Sequence, residues 1–493
     1  GAHRPEFGQE TMGRQRHLVA TRLTRLCPGQ IPRVIAAALR TVTAVMSSYL
    51  QEARSTLSLA MPIVIGQVSQ MLMGITDSVM IGRVGTVPLA ASAFANSVFG
   101  VVFMLGIGLL IPVAVLVSRA HGSGDDAEGG QWLRHGMVLA MVTGVAGAAV
   151  MGVLGWQIHW FGQAPEVVAV VGPYYALIAV SLVPTLLFQC LRQFAEALGR
   201  PWVPMLLMLA GVGLNVVLNW IFIYGKLGVP ALGLTGAGWA TLIARVAGVV
   251  AIYVWLARAD EFRLAWPYGT GKAVRGWLEG LTRARFVTMA KIGVPAAAML
   301  MFEAGAFSMS AIMMGWLGAV PLAAHQIALS CAAFTFMFPL GLSMAVSMRI
   351  GKAVGEKRTQ ALRPIGYGAL VMSGIVMLTF AGVFAVAGKP LAGFFVHDPA
   401  VIALAAQLLI VAALFQLVDG SQVIAAGSLR GLSDVKVPAV ITFVAYWIVA
   451  LPGAYIVGVA GPLGPLGVWI SLAAGLSIAA VLLSLRFRRL TAG

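Results

Sequence analysis

Apolar and polar positions do not alternate along this chain; apolar residues come in long blocks, and short stretches between them hold most of the charge. A helix rises 1.5 Å per residue, so about 20 residues cross the roughly 30 Å hydrocarbon layer of a bilayer. Blocks of that kind lie near 57–81, 88–117, 135–155, 167–190, 202–224, 235–257, 286–315, 320–348, 364–388, 401–427, 437–458 and 464–485. The pattern predicts twelve transmembrane helices. Period-two patterning of the barrel type is absent, so the fold class is an all-α integral membrane protein.

Composition agrees. Of 493 residues 59% are hydrophobic and 10% charged, with a mean hydropathy of +0.91. A soluble globular chain carries roughly a quarter charged residues, so that class is excluded. The net charge of +16 would suggest nucleic acid in a soluble protein, but here its placement decides. Counted against the twelve blocks, 29 of the 33 Lys and Arg fall on one side. Arg83, Lys226 and Lys389 fall on the other, and Arg245 lies within a block. That split is what the positive-inside rule predicts for an even number of spans with both termini in the cytoplasm. The charge therefore reports topology, and no nucleic-acid partner is expected. Cys27, Cys190 and Cys331 have no ligand spacing, and no GxxxxGK[ST] phosphate loop is present, so ATP drive is not encoded.

Residues 61–122 align without a gap on 294–355 at an offset of 233, with 18 identities in 62 positions. Eight of them fall in one window, MIGRVGTVPLAA (80–91) against MMGWLGAVPLAA (313–324). Farther on, Phe188-Gln189 matches Phe415-Gln416. An offset of six helices gives a parallel repeat, two lobes related by an axis along the membrane normal. The expected organisation is a basic extension 1–54, an N-lobe 55–257, a linker 258–285, a C-lobe 286–485 and a tail 486–493. The extension lacks the apolar run and cleavage pattern of a secretory leader.

Ionisable residues inside spans are costly and point to function. Four sit well inside the blocks: Asp77, Arg245, Glu303 and Asp419. Counting the rise from the flanking residues puts Glu303 about 18 Å from either end and Asp419 about 16 Å from Arg430. A carboxylate at that depth without a basic partner takes up a proton or a small cation. The alternatives are a permanently neutral Glu303 holding helices together, an Asp419 paired with Arg430, a capping Asp77 and a snorkelling or structural Arg245. Under the 233 offset Glu303 corresponds to Gln70, and under the Phe-Gln register Asp419 corresponds to Arg192. The lobes therefore carry different charges on one scaffold, as a division between ion coupling and substrate handling requires. Asn215 and Asn219 share a helix face and form, with Asp77, a candidate polar cluster in the first lobe. Met71, Met73, Met299, Met301, Met309 and Met313 suit either a pliable pocket or ordinary packing.

The segments MPIVIGQVSQMLMGITDSVMIGRVG, GLNVVLNWIFIYG with LGLTGAGWAT, MGWLGAVPLAAHQIA and FQLVDGSQVIAAGSLRGLSD resemble the MATE family of multidrug and toxic compound extrusion transporters, in its bacterial NorM-like branch. The resemblance covers about 55–485. It implies twelve helices in two lobes and H⁺- or Na⁺-coupled efflux of cationic, often aromatic drugs and dyes, with no resident cofactor. It also implies a cation site at Glu303 and Asp419, which would hold Na⁺ if sodium is the coupling ion. The first-lobe cluster implied is Asp77, Asn215 and Asn219, with Asp77 expected to take part in cation coupling beside Glu303 and Asp419, and with Asn215, Asn219 and Gln70 expected to line a polar substrate cavity. A monomer in the bacterial inner membrane is expected. The rival readings are a lipid-linked oligosaccharide flippase of related architecture, which would want several basic residues in its cavity, and a membrane enzyme acting on lipids. The enzyme would need acids or histidines clustered at one interface, and the seven histidines are dispersed.

Overall fold

The computed structural model describes residues 31–162, 164–262, 265–266 and 280–492. It divides into two units, Gly1–Glu52 and Ala53–Gly493. The first thirty residues of the predicted extension and most of the predicted linker lie outside the described residues.

Twelve helices among the described residues are long and apolar enough to cross a membrane. They are α1 (Ile31–Gly82), α2 (Thr86–Gly122), α3 (Asp126–Trp156), α4 (Pro165–Ala197), α5 (Trp202–Tyr224), α6 (Gly233–Arg258), α7 (Arg283–Leu317), α8 (Ala319–Gly355), α9 (Thr359–Phe395), α10 (Pro399–Gly431), α11 (Lys436–Val459) and α12 (Gly464–Leu490). Several outrun their apolar blocks. Helix α1 begins at Ile31, inside the predicted extension, because 33–61 is rich in Ala and Leu and holds no Gly or Pro. Helix α4 ends at Ala197 and α10 at Gly431, so each carries charged residues beyond its block.

Two helices depart from α geometry. Helix α4 breaks at Ser181 into Pro165–Val180 and Leu182–Ala197. Pro184 explains the break: it has no N–H for the Val180 carbonyl, and its ring crowds that group. Helix α11 contains two π-helical stretches, Val444–Ala450 and Ala454–Val459.

The repeat is visible in the packing. Gly85 (φ 156°) turns α1 into α2 and Gly318 (φ 123°), 233 residues later, turns α7 into α8. Both glycines use backbone space that L side chains rarely enter, so the most repetitive window of the sequence is a helix corner built twice. The helices also cross in related pairs. A methyl group on Gly108 would overlap Ala297, and one on Gly341 would overlap Val64. One on Gly122 would overlap the Lys352 carbonyl, and one on Gly355 the Arg119 carbonyl. Adding 233 to the first member of each pair converts it into the second, which is the signature of a pseudo-two-fold axis between the lobes. Glycine is needed at these crossings because backbone meets backbone there.

Each lobe has its own core, with Leu133, Tyr174 and Phe194 in the first and Trp469, Phe415 and Tyr446 in the second. A third cluster joins the lobes through Ile63, Ala114, Met299 and Leu342. The glycine crossings and this cluster lie toward the ends of α2 and α8 that carry Arg119, Arg349 and Lys352, called here the basic end. The lobes are sealed against each other on that side.

Candidate functional site

The N-lobe holds a cavity of about 310 Å³ lined by Asp77, Gln70, Asn96, Phe99, Phe103 and Arg245, among others. Its polar wall comes from α1, α5 and α6. Asn219 Nδ2 donates to Asp77 Oδ1 at 2.6 Å and to Asn215 Oδ1 at 3.1 Å, and Asn215 Nδ2 donates to Thr241 Oγ1 at 3.4 Å. Asn215 and Asn219 sit one turn apart and are fully buried, as LNVVLN predicts. Asp77 is buried against the cavity and bonded by an amide, so it is not a helix cap. It makes no ion pair among the described residues.

Arg245 does not snorkel. Its Nη1 donates to Ser181 Oγ at 2.6 Å, at the break in α4, and its guanidinium lies 4.4 Å from the Phe99 ring centroid. The Ser181 hydroxyl accepts from Arg245 while itself donating to the Ile178 carbonyl. Facing Asp77 across the cavity wall, Arg245 leaves that lobe's cavity with one charge of each sign.

The C-lobe holds a cavity of about 250 Å³ that brings Glu303 and Asp419 together, as predicted. Its walls are otherwise apolar, with Met299, Leu300, Phe307 and Phe415 among them, plus Gln422 and Arg430. Asp419 is buried, and its Oδ1 has no hydrogen-bond partner. Neither acid makes an ion pair among the described residues, so the predicted alternative of an Asp419–Arg430 pair is not what the structure adopts. Arg430 instead donates from Nη2 to Ser343 Oγ at 2.7 Å, while its Nε is buried without a partner. The π-helical stretch of α11 packs behind the site. Tyr446 Oη donates to Gln422 Oε1 at 3.4 Å, and Trp447 Nε1 donates to the Phe302 carbonyl, next to Glu303, at 3.1 Å.

A third cavity of about 130 Å³ lies between the lobes. It shares Gln70 and Gln189 with the N-lobe cavity, and Met104, Leu300 and Arg430 with the C-lobe cavity. Both charged cavities therefore border this third one. Of the methionines singled out, Met73 and Met299 line cavities, whereas Met313 packs in the second core.

Sequence reasoning missed two features here. Arg430 was counted with the basic loop residues, yet it lies inside α10 on the cavity face. Arg192 and Glu196 were likewise outside the predicted block. They form a buried ion pair at 2.6 Å within α4, with Arg192 also donating to Gln67 Oε1 at 3.1 Å. At the position corresponding to Asp419, the N-lobe thus carries an arginine already neutralised by Glu196. The signal was available: a charge with a partner four residues away does not end a helix.

With this geometry in place, comparison with known proteins is informative. The MatE family matches residues 62–221 and 295–456, two segments that begin 233 residues apart. Multidrug resistance protein NorM of Photobacterium profundum is 33% identical over 447 residues, spanning 90% of this chain and 96% of that protein. Multidrug resistance protein PmpM of Pseudomonas aeruginosa is 34% identical over 444 residues, 89% and 91% of the two chains. Among solved structures, an outward-facing multidrug resistance MATE family transporter of the MOP superfamily superposes with a TM-score of 0.81 at 21% identity, covering 90% of this chain and 96% of that one. The MATE transporter VcmN of Vibrio cholerae gives 0.79 at 21% identity, covering 90% and 98%. These two share the fold.

Proposed function

The chain belongs to the MatE family, and on that premise we propose that it is a multidrug efflux antiporter driven by an inward flow of H⁺ or Na⁺. The observation that carries the reading is the C-lobe cavity, where two carboxylates, Glu303 and Asp419, share a largely apolar pocket without a salt bridge. Buried carboxylates in such a place are stable only when a proton or a small cation neutralises them. They are the loading site for the driving ion. The N-lobe cavity, drug-sized and walled by Phe99, Phe103 and Phe188, takes the organic cation, with Asp77 as its anionic partner, Gln70 as polar support and Asn215 and Asn219 holding Asp77 from behind.

The chain works as a monomer in the bacterial inner membrane with both termini in the cytoplasm, so the basic end is the cytoplasmic one. The lobes are then closed inward. Cation binding from outside neutralises the acid cavity and favours rocking of the lobes about the α2–α8 crossing until the inner seal opens. There the ion leaves and drug loads. An ion shifts the balance only as far as its affinity differs between the two states.

The test is reconstitution in liposomes with a pH gradient or a Na⁺ gradient imposed separately, following efflux of ethidium. One of the two gradients should drive efflux by the wild-type chain, and Glu303→Ala and Asp419→Ala should abolish it while inserting normally. Full gradient-driven efflux in both variants would falsify the assignment. The flippase reading is less well supported, because a pyrophosphate headgroup wants several cations and the N-lobe cavity offers Arg245 alone among its described lining residues.

A further inference from the structure

A cation exporter has no evident use for an arginine inside its cation site, yet Arg430 lines the acid cavity. We propose that Arg430 is the resident counter-charge of Glu303: it limits the cavity to one monovalent cation at a time and takes over Glu303 when that cation leaves toward the basic end. This rests on the reading of the C-lobe cavity given above.

Three observations carry it. First, Glu303, Asp419 and Arg430 are the charged residues lining this cavity, so with both acids ionised the fixed charge is minus one. One H⁺ or one Na⁺ then makes the pocket neutral, and a second cation would leave it positive in an apolar surround. Second, Arg430 is held but not spent. Its contacts are the 2.7 Å bond to the Ser343 hydroxyl and an Nε with no partner, so it has donors left for a carboxylate. Third, helix direction decides which acid it addresses. Side chains on a helix lean toward its N-terminus. Helices α7 and α10 run in opposite directions across the membrane, so Glu303 leans toward the basic end and Arg430 leans away from it, each toward the other. Asp419 is on the same helix as Arg430 and leans in the same sense, so those two side chains do not converge. Arg430 also lines the cavity between the lobes, so its swing onto Glu303 occurs where the departing cation passes.

The neutral hydroxyl of Ser343 is a weak competitor for a guanidinium, and a free carboxylate is a strong one. While a cation occupies the acids, Ser343 keeps Arg430. Once the cation has gone, the Arg430–Glu303 pair compensates Glu303 and opposes rebinding there from the basic end, leaving the net charge of minus one on Asp419 for the next cation.

The test counts cations on the purified full-length chain in detergent, using ²²Na⁺ equilibrium binding and, separately, proton uptake followed with a pH indicator in unbuffered solution. The wild type should saturate at one monovalent cation per chain. Arg430→Gln should hold the first cation about tenfold more tightly and admit a second. Ser343→Ala frees Arg430 to compete, so affinity should fall about fivefold, the loss of one hydrogen bond. Arg430→Lys keeps the charge and should stay at one cation. Damage to the fold would not tighten one variant and weaken the other. Two cations on the wild type, or unchanged number and affinity in Arg430→Gln, would overturn the counter-charge. No saturable binding of either ion by the wild type would overturn the cavity reading itself, and the counter-charge with it.

Discussion

Asn219 is a fully buried side chain whose one amide nitrogen serves both Asp77 and Asn215. Replacing it with Ala removes the hydrogen-bond donor of a buried carboxylate, at a cost of about 1–3 kcal/mol. Asn219→Ala should therefore lower the thermal unfolding temperature in detergent and raise the KM for ethidium efflux severalfold, with little change at the C-lobe acids. An unaltered KM would mean that Asp77 does not meet the drug. This cluster was legible from sequence, because two asparagines four apart in an apolar helix can only share one face, and an acid in a neighbouring span is the natural partner. The pairing of Glu303 with Asp419 was legible for the same reason, since both lie at one computed depth in one lobe. Arg430 was not. A hydropathy reading assigns a terminal arginine to the loop, and only the fold shows that α10 continues to Gly431 and turns that residue inward.

The helices themselves were read well where hydrophobicity decides and poorly where hydrogen-bond register does. Block lengths marked twelve spans, but the break at Ser181 and the π stretches of α11 depend on backbone bonding that apolar patterning does not encode. Those irregular elements serve the cavities. The α4 break offers Ser181 to Arg245, and the wider π turn brings Tyr446 and Trp447 to the acid site. Trp447→Phe keeps the aromatic bulk beside Gly305 but strips the Phe302 carbonyl of its extra donor, a bond worth about 1 kcal/mol. Cation affinity at the neighbouring Glu303 should weaken severalfold, measured by the same ²²Na⁺ or proton titration, while ethidium binding holds. Equal losses for ion and dye would instead point to a general loosening of the lobe.

At the scale of the molecule, the offset of 233 announced two related lobes, and the paired glycine crossings follow it residue for residue. Which side of the membrane the lobes close on was not legible, because that depends on which repeated surfaces meet and not on what they contain. The seal suggests its own test. A Cβ built on Gly351 would stand 3.6 Å from Ser118 Cβ, within the range that a disulfide spans. Ser118→Cys combined with Gly351→Cys should lock the lobes under oxidation and stop ethidium efflux, and a reductant should restore it; transport that survives the crosslink would mean that the seal never opens. The most direct measurement of the coupling itself runs the exchange backward. Proteoliposomes loaded with a weakly buffered sodium salt, with ethidium added outside only, are monitored for H⁺ and Na⁺ leaving the lumen. The wild type should expel one of these ions in step with dye entry, and Asp419→Asn should break that link. Dye entry with no movement of either ion, or ion movement that persists in Asp419→Asn, would contradict a driving site built on Glu303 and Asp419.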